Sequence, residues 1–143
     1  MKQPSNFNLR AYGLLLVEDK LLVMEESFLG EPIYKFPGGG VEFGEGPKDT
    51  VVREMEEELG LKVCEADHFY TTENFVQSAF KKEDQLISIY YKVKVSNLPD
   101  LNFNPEDKGD WKEVALHWMD LNEIGPEDLS LPVDRKVVEM LKS

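Results

Sequence analysis

Residues Phe36 to Leu61 read FPGGGVEFGEGPKDTVVREMEEELGL. The stretch has the pattern of a strand end, a glycine turn, an acidic loop and a glutamate-rich helix. Pro47 suits the first helical turn, where a missing N–H costs nothing. Gly60 suits the left-handed position that ends a helix. Between them Val51, Val52, Met55 and Leu59 fall on one side at helical spacing, so that side is expected to face a core.

The acidic residues of this helix work against it. At about 100° per residue, Glu54, Glu57 and Glu58 share a face beside the apolar stripe, and Glu56 points elsewhere. Glu54 and Glu58 are a like-charged i,i+4 pair, which costs a few tenths of a kcal/mol. They also lie in the last turns, where the helix dipole disfavours anions by roughly 0.3–1 kcal/mol each. A bound cation would reverse the sign of both terms. The plain alternative is a solvated charge run, against which the preceding glycines weigh.

This segment resembles the signature of the Nudix hydrolases. There a glycine, five residues, a glutamate, seven residues and then Arg-Glu-apolar-x-Glu-Glu-x-Gly-apolar follow in order. Here Gly39 is followed by five residues and Glu45, and seven more lead to Arg53-Glu54-Met55-Glu56-Glu57-Glu58-Leu59-Gly60-Leu61. All nine fixed positions of the 23-residue span are filled. Tyr34 to Gly40 (YKFPGGG) also resembles the strand and turn that precede the signature in that family.

Length and composition bound the rest. One domain is the natural reading of 143 residues, 41% of them hydrophobic and 10% aromatic. No run of apolar residues is long enough for a transmembrane helix. The start, MKQPSNFNLR, has no apolar run of the kind a secretory signal needs. A lone cysteine, Cys64, excludes an intrachain disulfide and suits a reducing cytoplasm. A net charge of −12 argues against nucleic acid or an anionic membrane as partner. It would also repel an anionic substrate, unless a divalent metal neutralises protein carboxylates and phosphate oxygens together.

In chain order, residues 1–8 are polar and read as frayed. Arg10–Val17 reads as a central strand, apolar on both faces, followed by a turn at Glu18–Lys20 and a strand over Leu21–Met24. Ser27–Glu31 reads as a loop and Ile33–Phe36 as a short strand. Past the helix a strand starts at Leu61–Val63 and another runs to about Phe75. The alternation of Ile87, Ile89, Tyr91, Val93 and Val95 with polar neighbours marks the clearest strand. Ser96–Gly109 reads as a loop, and Trp111–Met119 as a strand. Asp120 is placed to cap a short helix to about Ile124. Pro132–Leu141 reads as a closing helix with Val133, Val137 and Leu141 inward. Patterning alone gives a mixed α/β or α+β domain. The resemblance implies an α/β/α sandwich with a mixed β-sheet and the signature helix on one side.

Several carboxylates with no other ligand type suit magnesium or manganese rather than zinc. The Gly38–Gly40 turn lets backbone approach a metal or phosphate closely. The resemblance implies that Glu54, Glu57 and Glu58 are metal ligands joined by a turn carbonyl, placed here at Gly38. It implies also that Arg53 and Glu45 form a bracing pair. Gly39, Gly40, Arg10 and Lys35 are the expected substrate contacts. The general base stays open between the signature glutamates and a later loop carboxylate, Glu106, Asp107 or Asp110. Phe69, Tyr70, Phe75 and Phe80 are candidates to stack a base, although such aromatics are more often core. Cys64, His68 and His117 form no catalytic or zinc spacing.

The reaction so implied is metal-assisted hydrolysis of a diphosphate bond in a nucleoside diphosphate linked to another group. Markers that the resemblance attaches to subclasses are absent. Phe75-Val76-Gln77 stands where a proline marks ADP-ribose hydrolases, and Ser78-Ala79-Phe80 where a tyrosine marks diadenosine-polyphosphate hydrolases. The upstream motif of coenzyme A hydrolases is missing too. Elimination leaves nucleoside triphosphates in front, acted on as small-molecule partners, and a homodimer remains open. Two other classes stay on the table: a catalytically silent nucleotide sensor of the same fold, and a plain structural domain with an acidic helix.

Overall fold

A computed structural model describes residues 3–98 and 114–143. Its centre is β1 (Asn6–Val17), which runs parallel to β6 (Asp84–Val95) from Asn6 opposite Asp84 to Leu15 opposite Val93. Every other pairing among the described residues is antiparallel. β5 (Val63–Thr71) flanks β6, and β4 (Gly38–Gly40) pairs with β1 through Arg10, Ala11 and Tyr12. β2 (Lys20–Phe28) touches the end of β1 and carries β3 (Glu31–Lys35) and β7 (Val114–Asp120). The result is a mixed sheet with one helix on each face, an α+β arrangement.

The two faces of β1 explain this layering. Ala11 and Leu15 pack with Val51, Met55 and Leu59 of α1 (Pro47–Leu59). Tyr12 and Leu14 pack on the other face with Val137 and Val138 of α2 (Pro132–Lys142). Gly13 brings α1 close: a Cβ there would sit 2.6 Å from the Met55 sulfur. Gly38 has φ +155°, and a Cβ on it would lie 2.1 Å from the Ala11 carbonyl oxygen, so β4 can lie against β1 only with glycine there.

α1 keeps the predicted boundaries. Pro47 opens it, the Asp49 carboxylate accepts from Gly46 N–H at 2.9 Å, and Gly60 closes it at φ +67°. No basic residue occupies its last turn, so the glutamates there do face an unfavourable dipole. Other expectations shift. Val52 is exposed, and Thr50 takes the buried place beside Val51, because the helix sits on a strip centred on Val51, Met55 and Leu59. β1 starts at Asn6 instead of Arg10: its polar first residues gain parallel partners on β6, which alternation within one strand does not reveal. The loop expected at Ser27–Glu31 shrinks to a turn at Leu29 and Gly30, both at positive φ, which extends β2 and β3. Asp120 caps a turn at Asn122 rather than a helix. β5 ends at Thr71, short of Phe75. Of the loop expected at Ser96–Gly109 and the strand expected from Trp111, residues 99–113 lie outside the described residues. Among the described residues no helix is long and apolar enough to cross a membrane.

One buried carboxyl ties α2 to the sheet. Asp134 is fully buried and accepts from the Tyr90 hydroxyl, while its second oxygen has no partner among the described residues. Burial pushes its pKa from 3.8 up to about 7. The folded chain thus holds a proton that the unfolded chain releases, so stability falls as pH rises between those values. Relative to Asp134→Asn, native stability should drop by roughly 1–3 kcal/mol between about pH 5 and about pH 8. Urea unfolding of both proteins at each pH checks this; parallel curves would contradict it.

Candidate active site

Arg53 is the hub of the acidic face. Its Nε and Nη2 donate to the two oxygens of Glu45 at 3.0 and 2.8 Å. Nη1 donates to Glu54 at 2.8 Å and to Glu57 at 3.2 Å, and Nη2 also reaches the Gly40 carbonyl at 3.1 Å. One planar guanidinium therefore joins the glycine turn, the acidic loop and the helix, which a lysine's single nitrogen does not match. Glu45 is held further by the Thr50 hydroxyl at 2.7 Å and the Glu42 N–H at 3.0 Å. The Arg53 bonds, more than these, lower the Glu45 carboxyl to about 2.

Glu54 and Glu58 lie deeper. The Glu54 side chain is 17% exposed and that of Glu57 61%. Gly39 is flush with Glu54, and a Cβ on it would stand 2.6 Å from Glu54 Oε1. The Glu58 carboxyl is raised to about 8, first by burial and then by its hydrogen bond to Glu54 and the Glu54 charge, with Lys35 pulling the other way. Two carboxyl groups in contact, one keeping its proton, is an arrangement that a cation would replace.

Among the described residues no three His, Cys, Asp or Glu side chains already converge as a closed cation cage. The donor set is nonetheless oxygen-only and partly open to water, and two of its members are tied to Arg53 rather than to each other. That chemistry fits a hydrated hard cation shared with substrate oxygens, the usual manner of magnesium, and does not fit zinc.

On the opposite face of β1 lies a cavity of about 450 Å³. Its floor is made by alternate residues of two parallel strands: Asn8, Arg10 and Tyr12 of β1, and Asp84, Leu86, Ser88 and Tyr90 of β6. Phe28 and Phe80 form an edge-to-face pair at 4.7 Å on its wall, and Leu131–Val133 at the start of α2 close it. Glu26 and Lys35, ion-paired at 2.7 Å, line it as well. Arg10 links this cavity to the glycine turn: a Cβ on Gly40, whose carbonyl accepts from Arg53, would stand 3.9 Å from Arg10 Nη1.

The structure thus gathers Glu45, Arg53, Glu54, Glu57, Glu58, Gly39 and Gly40. Gly38 is engaged in the β4–β1 ladder opposite Tyr12. Arg10 and Lys35 line the cavity, each with a partner, the Tyr12 hydroxyl at 2.7 Å and Glu26. Of the aromatic candidates, Phe80 lines the cavity, Tyr70 is core, and Phe69 and Phe75 lie off it. Glu106, Asp107 and Asp110 lie outside the described residues. Phe28, Asn8 and Asp84 were not anticipated; the alternation Asn8-Arg10-Tyr12 would have exposed Asn8 had β1 been extended to its true start. Cys64 is exposed and His68 bonds Thr71 at 2.7 Å.

A mixed sheet between two helices is the fold this chain shares with solved structures of MutT proteins. The family model for the NUDIX domain matches residues 7–141, and the chain belongs to the Nudix family. Hydrolysis of pyrophosphate-containing compounds and use of divalent metal ions are general to that family. Human nucleoside diphosphate-linked moiety X motif 6 is 30% identical over 127 residues, 85% of this chain and 36% of the relative. An RNA pyrophosphohydrolase of Acinetobacter baylyi is 39% identical over 49 residues, 34% of this chain and 30% of the relative. The chain spans about a third of the length of these curated relatives. A MutT NUDIX hydrolase from Burkholderia pseudomallei shares the fold with a TM-score of 0.72 at 18% identity, over 94% of this chain and 98% of that one.

Proposed function

We propose that this chain hydrolyses the diphosphate bond of a nucleoside diphosphate derivative, with nucleoside triphosphates as the leading substrate class and magnesium or manganese as cofactor. The observation that carries the reading is that Gly40, whose carbonyl accepts from Arg53 of the carboxylate face, lies against Arg10, which lines a nucleotide-sized cavity together with Lys35. Glu54, Glu57 and Glu58, with backbone of the Gly38–Gly40 turn, would hold the cation. When bound, a divalent ion polarises phosphoryl oxygens and makes water a better nucleophile.

The chain's own residues then position rather than react. Arg53 and Glu45 fix the angle between helix and glycine turn. Gly39 leaves room for the Glu54 carboxylate. Arg10 and Lys35 exchange their internal partners for phosphate oxygens, and the cavity seats the nucleoside away from water. A signature carboxylate not bound to cation accepts the proton of the attacking water. A cytoplasmic setting and a small-molecule partner belong to the same proposal.

Product release from a panel of nucleotides, nucleotide sugars and dinucleotides with magnesium tests it. A nucleotide sugar turned over far faster than every triphosphate would sink the triphosphate assignment. Binding of panel members with turnover of none would favour the silent sensor. Gly39→Ala gives a local check: displacing Glu54 should lower the rate on the order of 10- to 100-fold with little change in unfolding temperature. An unchanged rate would mean that the Glu54 position does not matter.

A further inference from the structure

The far end of the cavity floor carries a buried anion that the proposed chemistry does not use. Asp84 is 9% exposed and lines the cavity. Its Oδ2 accepts from Asn8 Nδ2 at 3.1 Å, and among the described residues the carboxylate has no other partner. The backbone around it is tightly held. Asp84 N–H donates to Lys81 carbonyl at 2.9 Å, and Asp84 carbonyl accepts from Ser78 N–H at 3.0 Å. The Ser78 hydroxyl, in turn, accepts from Phe80 N–H and Lys81 N–H at 3.1 Å each. One turn therefore fixes both the carboxylate and the Phe80 ring on the cavity wall.

A carboxylate only accepts, so it selects partners by the donors they offer. Its two oxygens match two parallel N–H groups, as they do with arginine. Among the common bases only guanine presents that pattern, a ring N–H beside an exocyclic amine. Adenine and cytosine place an acceptor lone pair beside their amine. Uracil flanks its single N–H with two carbonyl oxygens. Either pattern sets a lone pair against an oxygen of the buried Asp84 carboxylate.

We propose that Asp84, steadied by Asn8, reads the base in this cavity and selects guanine nucleotides through their two adjacent N–H donors. The inference rests on reading the cavity as the nucleoside site. Phe28 and Phe80 supply the ring faces against which the base packs.

Calorimetric titration with GMP, IMP, AMP, CMP and UMP tests it without requiring hydrolysis. GMP should bind about tenfold or more tightly than AMP, CMP and UMP, with IMP, which keeps the ring N–H and lacks the amine, in between. Asp84→Asn should weaken GMP about tenfold or more and bring it level with IMP. Should that variant not fold, the order of affinities in the native chain decides alone. AMP or a pyrimidine bound as tightly as GMP, equal weakening of every nucleotide in Asp84→Asn, or no binding of any of them would each overturn the proposal. Hydrolysis is scored separately. GMP-selective binding without turnover of GTP would remove the hydrolase reading and keep this one. Turnover of triphosphates with no preference for GMP in the binding titration would do the reverse.

Discussion

Arg53→Lys is expected to lower cation-dependent hydrolysis on the order of 10²- to 10³-fold while the fold survives. The native guanidinium makes bonds to Glu45, Glu54, Glu57 and the Gly40 carbonyl at once. An ammonium keeps the charge but satisfies a fraction of these. The acidic loop and Glu54 then lose their common reference, and the glutamates proposed to hold the cation drift. Stability should change less, because the pairs are partly exposed and Thr50 still holds Glu45. Steady-state rates across a magnesium titration, beside thermal unfolding, check this. A rate within about threefold of native would show that Arg53 braces nothing of consequence.

Glu58→Gln should separate function from stability. Activity is expected to fall about 10³-fold or more, since in the proposed centre the cation would lose a charged ligand beside Glu54. In the presence of chelator, however, the variant should unfold at the native temperature or above it. Glu58 is half-buried against another carboxyl, and an amide hydrogen-bonds Glu54 without adding charge. Loss of both activity and stability would point to a structural part for Glu58. Loss of neither would place the cation elsewhere.

Much of this was legible in the sequence because local rules and chemistry coincide in one stretch. Pro47, Gly60 and the spacing of Val51, Met55 and Leu59 set α1, and the glutamates that its dipole opposes pointed to the chemistry proposed for it. Alternation in β6 and two-sided burial of β1 were equally readable. What stayed hidden depends on pairing between distant segments. Asn6 to Asn8 look like a frayed start until β6 supplies a parallel partner. Phe28 looks like loop until a positive-φ turn at Leu29 folds β3 back on β2. Asp84 sits in a polar run, and only the register of β1 with β6 turns it into the floor of a cavity. Asp134 likewise looks like an ordinary first-turn helix acid, although it lies buried beneath Tyr90.

The account stands most directly on a comparison of native chain and Glu57→Gln. Glu57 is exposed where Glu54 and Glu58 are half-buried, its side chain at 61% against 17% for Glu54, so an isosteric amide there disturbs packing least. Product release from the best triphosphate of the panel would be followed with magnesium and with chelator. The native chain is expected to act only with the cation, and the variant to lose about 10²-fold or more of that rate. Equal rates in the two proteins, or hydrolysis that ignores the chelator, would contradict a cation-dependent centre on this helix.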